Sequence, residues 1–273
     1  MPPVITIHDL SFIRFPHLFR PANRLYLSVL TRLSARRARR LIAVSAHAAA
    51  ESARLLSVPA ERIDVVYHGV DPAFRPLSQD RVAAFRRRRG LPERFLFFVG
   101  TLEPRKNLKR LVQAFARLHD DRLGLVLAGG KGWLYTDLFA LVENLGLQDR
   151  ILFPGYVPGQ DLPLWYNAAL ALVYPSLYEG FGLPVLEAQA CGTPVLTSNT
   201  SSLPEAAGDA AVLVDPYDVA ALTAGLEQLL ADESLRRGLR LAGLAHAAQF
   251  TWSRTAQNTV RVYRRVLAER EGK

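Results

Sequence analysis

The chain has 273 residues, long for one domain and short for three, with 49% hydrophobic and 22% charged residues, which excludes a mainly disordered chain. No apolar run reaches the ~18 residues that span a bilayer, and the opening MPPVITIHDL lacks a positive segment followed by a long apolar one, so no signal peptide is expected. The single cysteine, Cys191, excludes an internal disulfide framework and fits a reducing cytosol. The net charge of +9 is unevenly placed: residues 1–90 hold 16 Arg, no Lys and 6 acidic residues, while residues 91–273 hold 18 basic and 19 acidic ones. Clusters at Arg36, Arg37, Arg39 and Arg40 and at Arg86 to Arg89 read first as solvated helix faces. An anionic membrane surface at the inner face of a cytoplasmic membrane is the second reading. Nucleic acid comes last, because no aromatics interleave with the basic stretches and no nucleic-acid module is visible.

In chain order, strands and helices alternate. VITIHDL (4–10) is a short β-rich run, and residues 24–40 carry helical spacing with arginines between the apolar positions. LIAVS (41–45) is a buried-type strand, with Ser45 placed to cap the next helix. IDVVYHGV (63–70) is a further strand, closed by Gly69, Asp71 and Pro72, and a linker with a basic helix follows over 76–91. From Phe95 the pattern restarts: strand FLFFVG (95–100), loop TLEPRK (101–106), helix NLKRLVQAFARL (107–118), strand LGLVLAGG (123–130) and helix TDLFALVENLG (136–146). Strand RILFPGYV (150–157), helix DLPLWYNA (161–168), strand ALALVYP (169–175), glycine-rich loop SLYEGFG (176–182) and helix LPVLEAQAC (183–191) come next. PVLTSN (194–199) and AAVLVDP (210–216) are strands, VAALTAGLEQLL (219–230) a helix, and 252–268 a last long helix.

Such alternation implies a doubly wound parallel sheet with helices on both faces. Residues 92–250 hold enough units for one complete domain; residues 1–75 hold about three strands and two helices, less than an independent domain of about 100 residues or more.

Ligands of open α/β sheets bind beyond the carboxyl ends of the strands, beside helix N-termini. In FVGTLEPRKNL, Gly100 ends a strand and admits a ligand near the backbone, with Thr101 next to it. Arg105 and Lys106 precede a helix that Asn107 is placed to cap, so cations and a helix dipole converge where a diphosphate is favoured. In YPSLYEGFGLPVLEAQACGTPV, Gly180 and Gly182 allow close backbone approach. Glu179 in the loop and Glu187 in the helix are carboxylates of the kind that accept from vicinal sugar hydroxyls. The competing reading of the first loop is an ordinary strand–helix turn with exposed basic residues, and that of the second is a helix N-terminal glutamate balancing the dipole plus a surface glutamate. No two aspartates lie two positions apart, so no Asp-x-Asp motif bridges a metal to a diphosphate, and no metal or other cofactor is expected.

These strings, with LAGGKGW, GYVPGQDLPLWYNAA and SNTSSLPEAAGDAAVLVDP between and after them, resemble glycosyltransferase family 4, and within it the bacterial mannosyltransferase-like members. VITIHDLSFIRFPHLF, AVSAHAA and VVYHGVDPAFRP resemble the later part of that family's N-terminal domain. The resemblance implies the GT-B architecture, an α/β fold of two Rossmann-like domains, here a complete C-terminal one (92–250) and a partial N-terminal one (1–75). The helix over 251–273 would cross back towards the N-terminal domain.

The implied activity is retaining transfer of a hexose, mannose first, from a nucleotide-diphosphate sugar such as GDP-mannose to a saccharide or lipid-linked acceptor in polysaccharide biosynthesis. By the same resemblance Arg105 and Lys106 bind the diphosphate, Glu187 the ribose and Glu179 the donor sugar. The backbone N–H groups of Phe181, Gly182 and Leu183 face the sugar and distal phosphate, Tyr156 and Val157 lie by the base, and His8 reaches the donor sugar. Asp9, which follows His8 at a strand end, supports that functional reading of His8, whereas His47, His68, His119 and His246 read as structural or surface residues. Trp133, Trp165 and Trp252 read as packing anchors. About 100 further residues before Met1 are implied, leaving a sheet edge near 4–10 or 41–45 open to self-association. A non-catalytic nucleotide-sugar-binding fragment and a GT-B-fold epimerase or phosphorylase are the alternatives.

Overall fold

The computed structural model describes residues 3–130, 132 and 136–271. The chain divides into two compact units, one made of Met1–Gly69, Tyr178–Gly182 and Phe250–Lys273, the other of Val70–Leu177 and Leu183–Gln249.

The first unit holds three parallel strands, β1 (Val4–Ile7), β2 (Arg40–Ala43) and β3 (Ile63–Val65), in the order β1-β2-β3. The register aligns Val4 with Arg40 and Leu41 with Ile63. Helix Pro21–Arg37 links β1 to β2, and helix Ala46–Leu56 links β2 to β3. The Ser45 hydroxyl accepts from the Ala48 N–H at 2.9 Å, so the expected cap is present. Ile7, Leu10, Phe12, Ala35, Leu41 and Leu56 form one core, while Val262 of the terminal helix Trp252–Glu271 packs with Ile42 and Val66.

Two expectations change here. The segment read as a helix over 24–40 ends at Arg37, and Arg40 opens β2 as a buried residue, not part of a solvated face. Its guanidinium donates to Asp64 at 2.5 and 3.1 Å, to Glu269 at 3.3 Å and to the Glu61 carbonyl at 2.9 Å; Asp64 first, then Glu269, holds its pKa above the usual value against the effect of burial. The 41–45 stretch is also not an open edge, because β2 is paired on both sides; the edges are β1 and β3.

The second unit holds six parallel strands: β4 (Arg94–Val99), β5 (Leu123–Ala128), β6 (Ile151–Gly155), β7 (Ala171–Tyr174), β8 (Val195–Ser198) and β9 (Val212–Val214). Their order is β6-β5-β4-β7-β8-β9. The chain starts in the middle, winds out to β6, returns to lay β7 against β4, and winds out the other way to β9. Helices cover both faces, so the inner strands are apolar without alternation: Phe95, Leu96, Phe97 and Phe98 are all buried. Trp165 stacks on Phe97 at 5.7 Å, as a packing anchor should; Trp133 lies outside the described residues.

The reversal between β4 and β7 makes a switch point at the carboxyl edge of the sheet. Asn107 ties together the segments that leave it. It adopts a left-handed backbone (φ +61°), and its side-chain amide donates to the Pro175 carbonyl at 3.1 Å and the Pro216 carbonyl at 2.6 Å. It occupies the N-cap position of helix Leu108–Ala116, but its side chain does not cap. The amide is committed to the loops after β7 and β9 instead.

Replacing Arg40 by Ala leaves Asp64 to Arg265 and Glu269 to Arg39, but it removes the buried charge-assisted bonds and should cost about 1.5–3 kcal/mol in urea unfolding. Arg237→Ala, which breaks an exposed pair with Glu233, should stay within about 1 kcal/mol of the parent. Asn107→Ala loses two buried hydrogen bonds and puts a Cβ-bearing residue without local compensation at positive φ. It should cost about 3 kcal/mol in the same measurement.

Candidate functional site

The loops that follow β4 and β7 are neighbours because those strands are. The Leu177 N–H donates to the Arg105 carbonyl at 2.9 Å, which joins them through backbone. Gly100 leaves β4 at φ +148°, and a Cβ there would lie 3.3 Å from the Phe98 ring and 3.5 Å from Lys106 Cε. Thr101 follows it. Arg105 and Lys106 sit in the 3-10 turn Pro104–Lys106, just ahead of helix Leu108–Ala116.

Lys106 is buried, and its ammonium donates to the Tyr174 hydroxyl at 2.6 Å while lying 4.9 Å from that ring's centroid. These two distances put the ammonium at the hydroxyl end of the ring and not over its face, so the contact is a charge-assisted hydrogen bond in a desolvated place. Arg105 is half-buried and donates to Glu103 Oε1 from Nε at 3.0 Å and from Nη2 at 2.7 Å. Glu103 is a buried carboxylate that the sequence reading did not single out, and it offsets part of the positive charge expected there.

Leu183 opens helix Leu183–Ala190, and Glu187 lies on its second turn. The Tyr166 hydroxyl, from helix Leu162–Ala168, donates to Glu187 Oε2 at 2.8 Å. Desolvation raises the Glu187 pKa above its ordinary value; the Tyr166 bond opposes the shift and Asp71 adds to it. Burial, then the neighbouring Glu187 charge, drives the Tyr166 phenol well above its usual range, so it remains a donor. The same two causes push the Cys191 thiol up to about 12, in keeping with a small buried residue. Tyr156 and Val157 follow β6, two strands from β4; Tyr156 is 76% exposed and Val157 is buried.

The remaining candidates belong to the first unit. His8 follows β1, and a Cβ on Gly180 would lie 1.7 Å from the His8 carbonyl oxygen, so the two backbones meet where only glycine fits. The Ser45 hydroxyl donates to the Gly180 carbonyl at 2.7 Å. Glu179, Phe181 and Gly182 are buried in the same segment, Tyr178–Gly182.

His68, read from sequence as structural or surface, stacks on His8 with centroids 5.4 Å apart and an interplanar angle of 14°. Burial, then the His8 charge, lowers the His68 pKa. The Phe181 ring packs on Tyr67 and His68 at 5.8 and 5.6 Å, and Trp252 lies 5.7 Å from His68. The Asp9 carboxylate accepts from the Ser11 N–H at 2.9 Å and hydroxyl at 2.7 Å.

The second unit thus brings Gly100, Thr101, Arg105, Lys106, Tyr156, Val157, Leu183 and Glu187 to the carboxyl edge of its sheet. The first unit brings His8 to the Glu179-Gly180-Phe181-Gly182 segment. Tyr174, Tyr166, Glu103 and His68 join them from positions that sequence reasoning missed. Tyr174 had one signal available, as the last residue of the strand before the glycine-rich loop. Among the described residues no three His, Cys, Asp or Glu side chains gather where they could hold a metal ion.

Residues 82–244 match the family described as glycosyl transferases group 1, and residues 1–74 match glycosyltransferase family 4. The chain is 38% identical over 266 residues to O-antigen chain mannosyltransferase B of Escherichia coli, covering 96% of this chain and 70% of that protein. It is 33% identical over 238 residues to the serotype-specific mannosyltransferase WbdA of Escherichia coli, covering 85% of this chain and 29% of that much longer protein. Among solved structures, sucrose-phosphate synthase of Thermosynechococcus elongatus superposes with a TM-score of 0.84 at 27% identity, covering 97% of this chain and 68% of that one. Parallel α/β units, a switch-point site and matches along both parts of the sequence lead to one assignment: the chain belongs to the family 4, group 1 glycosyltransferases of the GT-B fold.

Proposed function

We propose that this glycosyltransferase moves a hexose, mannose first, from a nucleotide-diphosphate sugar to a saccharide or lipid-linked acceptor, with retention at the anomeric carbon. GDP-mannose is the donor we put first, on the strength of the likeness to an O-antigen chain mannosyltransferase. The observation that carries the reading is the buried Lys106 ammonium beside Arg105 at the β4–β7 switch point. Arg105, Lys106 and the adjacent helix N-terminus would stabilise the negative charge that grows on the diphosphate as the glycosidic bond breaks. They would take the part of a divalent cation, so the reaction needs no metal.

The leaving diphosphate oxygen takes the acceptor proton in a front-face displacement. Glu187, steadied by Tyr166, accepts from the ribose hydroxyls, and the exposed Tyr156 ring offers a face to the base beside Val157. Glu179 and His8 hold the transferred sugar, as do the backbone N–H groups of Phe181, Gly182 and Leu183, with Gly180 giving that segment its close backbone approach. Gly100 and Thr101 leave room for the phosphates.

Titration calorimetry with GDP-, UDP- and dTDP-sugars should give heat with at least one, unchanged by a chelator, and Lys106→Ala should weaken that binding about tenfold or more. No heat with any donor, or loss of binding on chelation, refutes the assignment of these residues. Glu187 accepts only when ionised, and its raised pKa means that it protonates at a higher pH than a free carboxyl does. Donor affinity should therefore fall as pH drops through a midpoint above the ordinary 4.5. Both phosphates of a nucleotide sugar stay ionised across that window. Glu187→Gln should bind more weakly at neutral pH and lose this titration.

A further inference from the structure

The second unit has a pocket on the edge of its sheet opposite to the β4–β7 switch point. It lies where the chain enters β7 and β8, and its volume is about 230 Å³. Ala169, Leu170 and Pro194, just ahead of those strands, give it an apolar wall. The turn Cys191-Gly192-Thr193 after helix Leu183–Ala190 closes one side. Helix Glu233–Ala247 brings Glu233, Arg236, Arg237 and Arg240 to the other, so cations outnumber the carboxylate three to one.

Like charges three or four residues apart on a helix are neighbours and destabilise it, and Arg240 stands in this relation to both Arg236 and Arg237. The fold uses two of the three. Arg236 donates from Nη1 to the Leu229 and Leu230 carbonyls at 2.5 and 2.9 Å, at the end of helix Val219–Ala231. Arg237 pairs with Glu233 at 2.7 Å. Arg240 has no hydrogen-bond or ion-pair partner among the described residues. Its guanidinium lies against Gly192, where a Cβ would come within 3.2 Å of Nε, so the glycine leaves it room.

Cations gather at helix carboxyl ends to meet unsatisfied carbonyls, and helices Leu162–Ala168 and Leu183–Ala190 both end here. The chain's own groups already take carbonyls of both last turns. The Ala169 N–H donates to the Trp165 and Tyr166 carbonyls at 3.1 and 3.2 Å, and the Thr193 hydroxyl to the Tyr166 carbonyl at 2.8 Å. The Gly192 and Thr193 N–H groups donate to the Gln189 and Ala188 carbonyls, each at 2.9 Å. Capping therefore does not account for Arg240.

We infer that this pocket is a second ligand site, for a small phosphomonoester, with Arg236, Arg237 and Arg240 meeting the phosphate and Ala169, Leu170 and Pro194 the organic part. Guanidinium forks match phosphate oxygens and are more weakly hydrated than ammonium groups. A bare anion would use the arginines and leave the apolar wall wet, whereas an ester uses both. The volume falls below the ~300–1,000 Å³ of pockets for drug-sized ligands, which keeps the organic part to about one sugar ring. The inference does not depend on the donor reading, because the two sites share no residue.

Titration calorimetry of the full chain with glucose 6-phosphate, glycerol 3-phosphate, inorganic phosphate and glucose tests it. At least one ester should bind about tenfold more tightly than inorganic phosphate, and glucose should give no heat. Arg237→Gln with Arg240→Gln, both at exposed positions, should weaken ester binding about tenfold or more at an unchanged far-UV circular dichroism spectrum. If that pair misfolds, Arg240→Gln alone should weaken it in the same direction. Arg87→Gln with Arg88→Gln removes the same charge from helix Gln79–Arg89 of the same unit and should leave binding unchanged. No binding of either ester overturns the inference, and so does ester binding that survives the loss of Arg240. Equal weakening by the two pairs, which is diffuse charge attraction, overturns it too. Inorganic phosphate binding as tightly as the esters does the same, since the apolar wall then contributes nothing.

Discussion

The site in the second unit depends on how the loops after β4 and β7 are joined. Parallel pairing places the ends of these strands together, but it does not fix what leaves them. Three contacts do: the Leu177 N–H to the Arg105 carbonyl, the Asn107 amide to the Pro175 carbonyl, and the Lys106 ammonium to the Tyr174 hydroxyl. Each crosses from one loop to the other or back to its strand. Together they hold a buried cation at the point where the sheet changes its winding direction. Preorganised charge of this kind needs little rearrangement when a ligand's charge shifts during reaction.

The same economy appears around Glu187. A half-buried carboxyl is costly to ionise, and Tyr166 lowers that cost by donating to it. Tyr166 is itself buried and kept protonated, so the pair has a defined donor and acceptor. In the first unit the corresponding constraint is steric. Gly180 meets the His8 carbonyl with no room for a side chain, and the Ser45 hydroxyl that caps one helix also donates to the Gly180 carbonyl.

Much of this was legible in the sequence, because strands buried on both faces and helices with clear periods announce themselves. FLFFVG, LGLVLAGG and the glycine-rich loops were read in place, and so was Ser45 as a cap. Helix Glu233–Ala247 is not legible in the pattern: Gly238 and Gly243 interrupt its period, and three arginines dilute its apolar side. Arg40 was read as a surface charge because its partners, Asp64 and Glu269, lie far along the chain. Asn107 suits a cap by its type, yet its amide donates to the Pro175 and Pro216 carbonyls, since a residue suited to capping is equally suited to binding a distant carbonyl.

Cys191 carries a practical consequence. It is the chain's only cysteine, it is buried, and its thiol is pushed up to about 12. Near neutral pH only about one such group in 10⁵ is ionised, and the thiolate is the reactive form. Maleimides and similar reagents should therefore pass the native protein by. A cysteine introduced on the surface would take a fluorophore or spin label at a single defined position, with no need to remove the natural one first.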